Sequence, residues 1–306
     1  MTSQQLRVVQ LNLGSLFEPD WEKRRREVVA WLRRLQPDVI CFEEVHESDS
    51  SPNTAGWIAE ELTAATGEKW HWRFGGSDPV GTRTAPGTLF GIAILSRWPI
   101  NEFEYVRLPL DESVASDSGV AVFPWGLVHG STAGLDVFAV HLTAAPKDAR
   151  HRRVQVQFID RFVKARRGPL DVLGQARSPM PPILCGDFNA EPDSDEIRFL
   201  CGLTSLGDTD TSWQDSWRVA GDGSAGYTQD WRDNSIASAM NIFRKRVDYI
   251  FVGDPFYRRG SGGRVLSAEL AFHTGITGIE ASDHRGLAVD IVWPDRPEPD
   301  HTESTQ

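Results

Sequence analysis

Short apolar runs, many rich in β-branched or aromatic residues, recur along the chain and are broken by polar or glycine-rich segments. Their pattern predicts strands over residues 7–13, 38–45, 88–96, 120–128, 135–142, 182–186, 247–252, 265–271 and 286–292. Several of these runs are apolar at consecutive positions, which requires a sheet covered on both faces. A 3.6-residue period predicts helices over 21–35, 54–65, 147–166 and 194–200, the first entered through Asp20 as N-cap and closed by Pro37. Strands outnumber helices about two to one, which favours sheets packed on each other with helices outside over a strand-helix alternation. No dinucleotide-binding or Walker A glycine pattern is present. The chain lacks an internal repeat or long linker, so residues 1–294 read as one domain, and the proline-bearing acidic segment 295–306 reads as a disordered tail.

Composition narrows the classes. The 306 residues are 40% hydrophobic and 25% charged, ordinary for a globular chain and unlike disordered, collagenous or coiled-coil sequences. No apolar run reaches the ~20 residues needed to cross a bilayer, and the N-terminus lacks a basic stretch followed by an apolar one. A cytoplasmic, monomeric protein is therefore expected. Cys41, Cys185 and Cys201 are odd in number and without metal-type spacing, which argues against a disulfide framework or a zinc site. The formal charge of −11 argues against a generic polyanion-coating surface, but not against phosphate handled through a metal ion.

The unusual polar residues fall at the C-terminal ends of the apolar strands or just after them. Asn12 interrupts VVQLNL, Glu43 and Glu44 close VICFEEV, and His141 closes FAVHLT. Asp187 and Asn189 follow PILCGDFN, Asp248 sits inside RVDYIF, and Asp283 and His284 precede RGLAVDI. Any one Asn or Asp at a strand end is most often a turn or cap residue. A carboxylate among apolar neighbours, such as Asp248, needs a partner, because burying it unpaired costs several kcal/mol. Six such segments supplying carboxylates, amides and two histidines suggest an oxygen-ligand site for a hard divalent cation, with imidazoles for acid–base work.

These segments carry a resemblance. LNL, PDVICFEEV, GIAILSRWPI, VHLT, GDFNAEP, RVDYIFV and SDH, in this order over about residues 6–293, resemble the endonuclease/exonuclease/phosphatase superfamily of metal-dependent phosphoesterases, DNase I-like nucleases and neutral sphingomyelinases among them. The resemblance implies an α/β fold: a four-layer sandwich of two mixed β-sheets packed face to face and flanked by helices. It also implies a divalent-metal-dependent phosphodiesterase using Mg2+ (or Mn2+). Glu44 would be the principal metal ligand, with Glu43 at the family's glutamine position, and Asn12 and Asp283 would complete or orient the metal shell. Asp187 would orient or deprotonate the attacking water while Asn189 holds phosphate and nucleophile in line. His284, buttressed by Asp248, and His141 would bind the scissile phosphate and meet the charge that builds on it. His46, His71, His129, His151, His273 and His301 read as structural.

Some positions stay open on the sequence. The family's carboxylate partner for the first histidine should precede the GIAILSR strand, where residues 70–91 offer only Asp78. Arg150, Arg153 and Gln157 share one helix face, either a solvated surface or an approach to substrate; Arg150 is taken as a candidate substrate contact. Residues 244–246, with Arg258, Arg259 and Arg264, either contact phosphates or solubilise loops. The segment 226–241 resembles a substrate-lining loop of several members, with Thr228, Asp230 and Asn234 as its polar residues; Thr228 and Asn234 are taken as substrate-binding. Among the 11 tryptophans, Trp31, Trp57 and Trp293 read as core, whereas Trp231 is the candidate for stacking. A nuclease-like phosphodiesterase acting on nucleic acid is the leading reading. A sphingomyelinase-type lipid phosphodiesterase or a phosphomonoesterase acting on a small substrate is the alternative.

Overall fold

The structure, a computed structural model, describes residues 4–79, 84–113, 125–168, 178, 180–240, 242–253 and 260–299. Two six-stranded mixed sheets stack face to face. The first contains β1 (Gln5–Asn12), β2 (Val39–Glu47), β3 (His71–Ser77), β4 (Leu89–Ser96), β11 (Val265–Ala271) and β12 (Gly286–Val292), in the spatial order β11-β12-β1-β2-β4-β3. The second contains β5 (Ile100–Arg107), β6 (Gly126–Thr132), β7 (Leu135–His141), β8 (Ile183–Asp187), β9 (Trp213–Asp215) and β10 (Asp248–Gly253), in the order β5-β6-β7-β8-β10-β9. Each sheet has one parallel pair near its middle, β1 with β2 and β7 with β8, and its other pairs are antiparallel.

Three apolar layers follow from strand alternation. Leu6, Val8, Val39, Cys41, Val137, Ala139, Ile183, Cys185, Ile250 and Val252 meet between the sheets. Residues one step out of phase, Val9, Leu11, Ile40 and Phe42, face Val28, Trp31 and Leu32 of α1 (Trp21–Leu35) and Ile58 of α2 (Thr54–Thr66). Phe138, Val140, Leu184 and Phe251 likewise face Val156 and Ile159 of α3 (Ala149–Arg167) and Phe199 of α4 (Asp195–Leu200). The result is the expected four-layer sandwich.

The strands absent from the sequence prediction, β3, β5 and β9, all lie at sheet edges. An edge strand is wetted along one side, so its apolar run is diluted by residues such as Arg73, Glu102 and Glu104. The strand predicted over 120–128 appears as β6, which runs on to Thr132; residues 120–124 lie outside the described residues. Two short helices, α5 (Ser216–Ala220) and α6 (Ser235–Ala239), were also not predicted. Asp20 does not cap α1 with its side chain; it adopts a left-handed conformation (φ 59°, ψ 30°) and its carboxylate pairs with Lys23. At the start of the expected tail, Arg296 pairs with Asp38 at 2.7 Å and the Glu298 carbonyl accepts from the Trp98 indole at 3.0 Å. These bonds hold that stretch on the body, and residues 300–306 lie outside the described residues.

Candidate active site

Along the face each strand turns toward the other sheet, the sequence changes from apolar to polar at one end. Val8 leads to Gln10 and Asn12, Cys41 to Glu43, Ala139 to His141, Cys185 to Asp187, and Ile250 back to Asp248. Period-2 alternation therefore puts the polar residues at the rim of the central core. Register aligns them: Asn12 lies opposite Glu43, and Asp187 lies opposite both His141 and Asp248. Gly186, just before Asp187, has φ +145°, and a Cβ there would stand 2.0 Å from the Val140 carbonyl, so only glycine lets β8 approach β7 at this point.

One half of the site is an imidazole network. Asp248 accepts from Nδ1 of His284 at 2.8 Å through Oδ2 and from the Gln10 amide at 2.9 Å through Oδ1. Its backbone N–H and that of Val247 donate to Thr228 Oγ1 at 3.3 and 3.1 Å. Asp187 accepts the Asn189 backbone N–H at 2.8 Å and the Asn12 amide at 3.1 Å. Asn189 holds a left-handed conformation (φ 49°), and its amide donates to the Leu142 carbonyl at 3.0 Å. Burial opposes charge on His284, but Asp248, Asp283 and Asp187 outweigh it and lift its pKa well above the ordinary range. His141, by contrast, is pushed down to about 3 by burial and then by the charge of His284. Burial, followed by Asp248, pushes Asp187 up to about 6. The two histidines are thus in different states. The carboxylate beside His141 is Asp187, 3.6 Å from Nε2, with the edge of Trp125 at 4.9 Å on the ring; Asp78 is exposed.

The other half is a carboxylate pocket. The β2–β4 register shifts between Phe42 and Val45, and Glu44 takes up a left-handed conformation (φ 54°). Ser15 fixes this bulge, donating to the Glu44 carbonyl at 2.5 Å and lying 2.7 Å from His46 Nδ1. The Glu44 carboxylate receives the Asn12 amide at 3.1 Å. Asp283 receives Ser282 Oγ and Gln229 Nε2, each at 3.2 Å. Glu18 completes the group, folded over Gly14, where a Cβ would stand 2.4 Å from Glu18 Oε2. That oxygen is buried and has no hydrogen-bond partner among the described residues. Burial and then Asp283 push Glu18 up to about 7, while burial, Glu18 and Asp283 push Glu44 well above the carboxylate range. Arg24 lies close by but spends its donors on the carbonyls of Leu13, Gly14 and Ala281. Asp283 raises the pKa of both glutamates and Glu18 raises that of Glu44, and this concentration of negative charge, with an unsatisfied Glu18 oxygen, suits a hard divalent cation. A second grouping, Asp187, Asp248 and His284, has ligand atoms within 4.8 Å of one another, but both Asp248 oxygens are already engaged.

The structure brings Asn12, Glu44, His141, Asp187, Asn189, Asp248, Asp283 and His284 together. It does not bring Arg150: this side chain is exposed on α3, 3.4 Å from Asp111 and 3.1 Å from Ser113. Arg153 pairs with Asp195 and Gln157 donates to the Leu206 carbonyl, so that helix face docks on its neighbours. Thr228 anchors the Asp248 backbone, and Asn234 caps α6 while donating to the Ser282 carbonyl at 2.8 Å. Both position the site from behind. Arg244 pairs with Asp230 and Arg246 with Asp215, whereas Lys245 lies near enough to Asp187 to draw its pKa downward. Arg258 and Arg259 lie outside the described residues, and Arg264 is exposed.

Sequence reasoning missed Gln10, Glu18 and Gln229. Gln10 carried a signal, two residues before Asn12 and so on the same strand face. Gln229, whose amide nitrogen lies 2.8 Å from His284 Nε2, arrives through a non-local pairing of its backbone with Lys245.

Residues 9–284 match the model of the Endonuclease/Exonuclease/phosphatase family, and the chain belongs to that family. Protein angel of Drosophila melanogaster is 26% identical over 197 residues, covering 63% of this chain and 49% of that protein; the chain spans about half the length of this curated relative. An endonuclease/exonuclease/phosphatase from Beutenbergia cavernae superposes with a TM-score of 0.65 at 22% identity, covering 94% of this chain and 72% of the other. D. rerio TDP2, in complex with a single-strand DNA product, gives 0.65 at 17% identity, covering 94% and 98%. No helix among the described residues is long and apolar enough to cross a membrane.

Proposed function

We propose that this chain is a divalent-metal-dependent phosphodiesterase of the nuclease-like kind, hydrolysing its substrate by in-line attack of an activated water. The observation that carries the reading is the meeting, at one rim, of a His284–Asp248 pair, Asp187 with Asn189, and the cation-deficient pocket of Glu18, Glu44 and Asp283. Glu44 and Asp283, with Asn12, would hold Mg2+ or Mn2+, which when bound supplies positive charge for the phosphoryl oxygens. Asp187, fixed by Asn12 and the Asn189 backbone, takes the proton from the attacking water. Asn189, pinned by its bond to Leu142, presents its amide beside that water. His284, held at Nδ1 by Asp248, which stabilises its positive charge, would donate from Nε2 to a non-bridging oxygen once substrate displaces the Gln229 amide that lies 2.8 Å from that nitrogen. His141, neutral, offers a second hydrogen bond.

A diester is favoured because one anionic phosphate needs no second terminal charge, and among the described residues no arginine fork stands at the GDFN segment to receive one. Trp231, half exposed with Arg232 5.8 Å over its ring, supports a nucleic-acid substrate, as does the DNA product in the TDP2 relative. Contacts to backbone phosphates predict little base specificity and weakening with salt. The test compares bis-p-nitrophenyl phosphate with p-nitrophenyl phosphate, then single-stranded with duplex DNA, each in Mg2+, Mn2+ or excess chelator. Cation-dependent diester cleavage is expected. Turnover in chelator, or a strong monoester preference, overturns the reading.

A further inference from the structure

Thr228 fixes the backbone of Asp248, but a carboxylate must also be held in its plane if one oxygen is to face His284 throughout turnover. The side chain that does this is Gln10 from the opposite sheet. Its amide nitrogen donates one N–H to Asp248 Oδ1 at 2.9 Å and the other to Glu43 Oε2 at 2.7 Å. Gln10, Glu43 and Asp248 are all fully buried. Both hydrogens of one amide are therefore spent on carboxyl groups from two strands, β2 of the first sheet and β10 of the second. Glu43, one residue before the bulge at Glu44, is fully buried beside Gln10 and is the second acceptor of the bracket, its other oxygen having no hydrogen-bond partner among the described residues. Removing the amide leaves Asp248 Oδ1 buried and unpaired, free to turn toward any other donor.

We infer that Gln10 is a positioning residue: anchored on Glu43, its amide sets the plane of the Asp248 carboxylate and through it the orientation of His284. The catalytic consequence rests on the phosphodiesterase reading above; the structural one does not. Gln10→Met keeps length and approximate volume while deleting both hydrogen bonds. It is expected to lower kcat by about 10- to 100-fold, the usual scale for losing an orienting partner, with KM changed less than about 3-fold. In an Asp248→Asn background the same change should cost less than about 2-fold, because the bracket then has no carboxylate to align. Glu43→Gln, which keeps an acceptor for Gln10, should retain kcat to within about 3-fold, whereas Glu43→Met should approach Gln10→Met.

A readout independent of turnover is the His284 Nδ1 proton in the NMR spectrum, identified by its disappearance in His284→Ala. It should lie far downfield in the parent and in Glu43→Gln, and shift upfield or broaden in Gln10→Met and Glu43→Met. An unmoved resonance in a folded Gln10→Met chain, or equal losses in the parent and Asp248→Asn backgrounds, overturns the inference whether or not the parent cleaves diesters. If Gln10→Met does not fold, the Glu43 pair decides: equal resonances in Glu43→Gln and Glu43→Met overturn it. A parent without diesterase activity but with a Gln10-dependent resonance leaves the bracket standing and removes the phosphodiesterase reading instead.

Discussion

The two halves of the site differ in how the carboxylates that face the histidine and the cation pocket are satisfied, although the Gln10 and Gln229 amide oxygens beside the imidazole network also lack partners among the described residues. In the imidazole half, both oxygens of Asp248 and both of Asp187 are engaged, and His284 stands between carboxylates that favour its charge. In the carboxylate pocket, Glu18 keeps a buried oxygen without a hydrogen-bond partner among the described residues, and burial, then the neighbouring carboxylates, raise the pKa of Glu18 and Glu44. The first half is assembled by folding alone; the second is left short of positive charge. A cation should therefore act on the two unequally, changing the stability of the pocket while leaving the hydrogen bonds of the imidazole network in place.

The largest expected effect is at Glu44. Glu44→Gln should remove at least about 100-fold of the cation-dependent rate, since a neutral amide is a poor ligand for a hard ion. It should also abolish the rise in Tm that the parent shows on adding Mg2+ or Mn2+, while the Tm in chelator stays at the parental value or above it as repulsion is relieved. A preserved cation-induced shift would place the ion elsewhere, the Asp187–Asp248–His284 grouping being the alternative. Next in size are His284→Ala and Asp248→Asn, each lowering kcat by about two orders of magnitude with little change in KM. Here the cation-induced Tm shift should survive, and the double variant should be no worse than the poorer single one. Loss of that shift in either variant would show that the halves are not separable.

A smaller effect belongs to Glu18. Glu18→Gln should raise the half-saturating cation concentration by about 3- to 10-fold, removing one nearby negative charge, and leave kcat at saturating cation within about 2-fold. A metal titration of the rate, with isothermal calorimetry on the same protein, measures both. An unchanged titration midpoint would mean that the Glu18 carboxyl is neutral with the cation bound and contributes nothing to its affinity.

The imidazole half was also the more legible in sequence. His141, Asp187 and Asp248 lie at the ends of runs such as FAVH, ILCGD and DYIFV, whose consecutive apolar residues mark central strands buried on both faces. Glu44 was visible as a residue, but its left-handed bulge and the Ser15 bond that holds it were not, because nothing local in CFEEV encodes a register shift against β4. Glu18 was hidden for a related reason: it joins the pocket through the path of a loop around Gly14, not through a strand period. Thr228 and Asn234 were singled out because segment 226–241 resembles a substrate-lining loop, and the structure places them behind the site because backbone donors and carbonyls there need partners. The edge strands β3, β5 and β9 escaped because half-wet strands carry mixed composition.

The smallest expected effect is at Arg150, which lies in neither half. Its guanidinium is largely exposed and already paired with Asp111 and Ser113, and an exposed pair of this kind contributes little to stability. Arg150→Ala should therefore leave the hydrolysis of bis-p-nitrophenyl phosphate and the cation titration within about 2-fold of the parent. Long single-stranded DNA is the sharper probe, because a cation that touches backbone phosphate away from the scissile bond affects only an extended substrate. If KM for DNA also stays within about 2-fold, and the slope of its logarithm against that of salt concentration is unchanged, the α3 surface takes no part in binding. A slope reduced by about one, with the small diester unaffected, would instead mark α3 as a third region that holds the strand beyond the two halves.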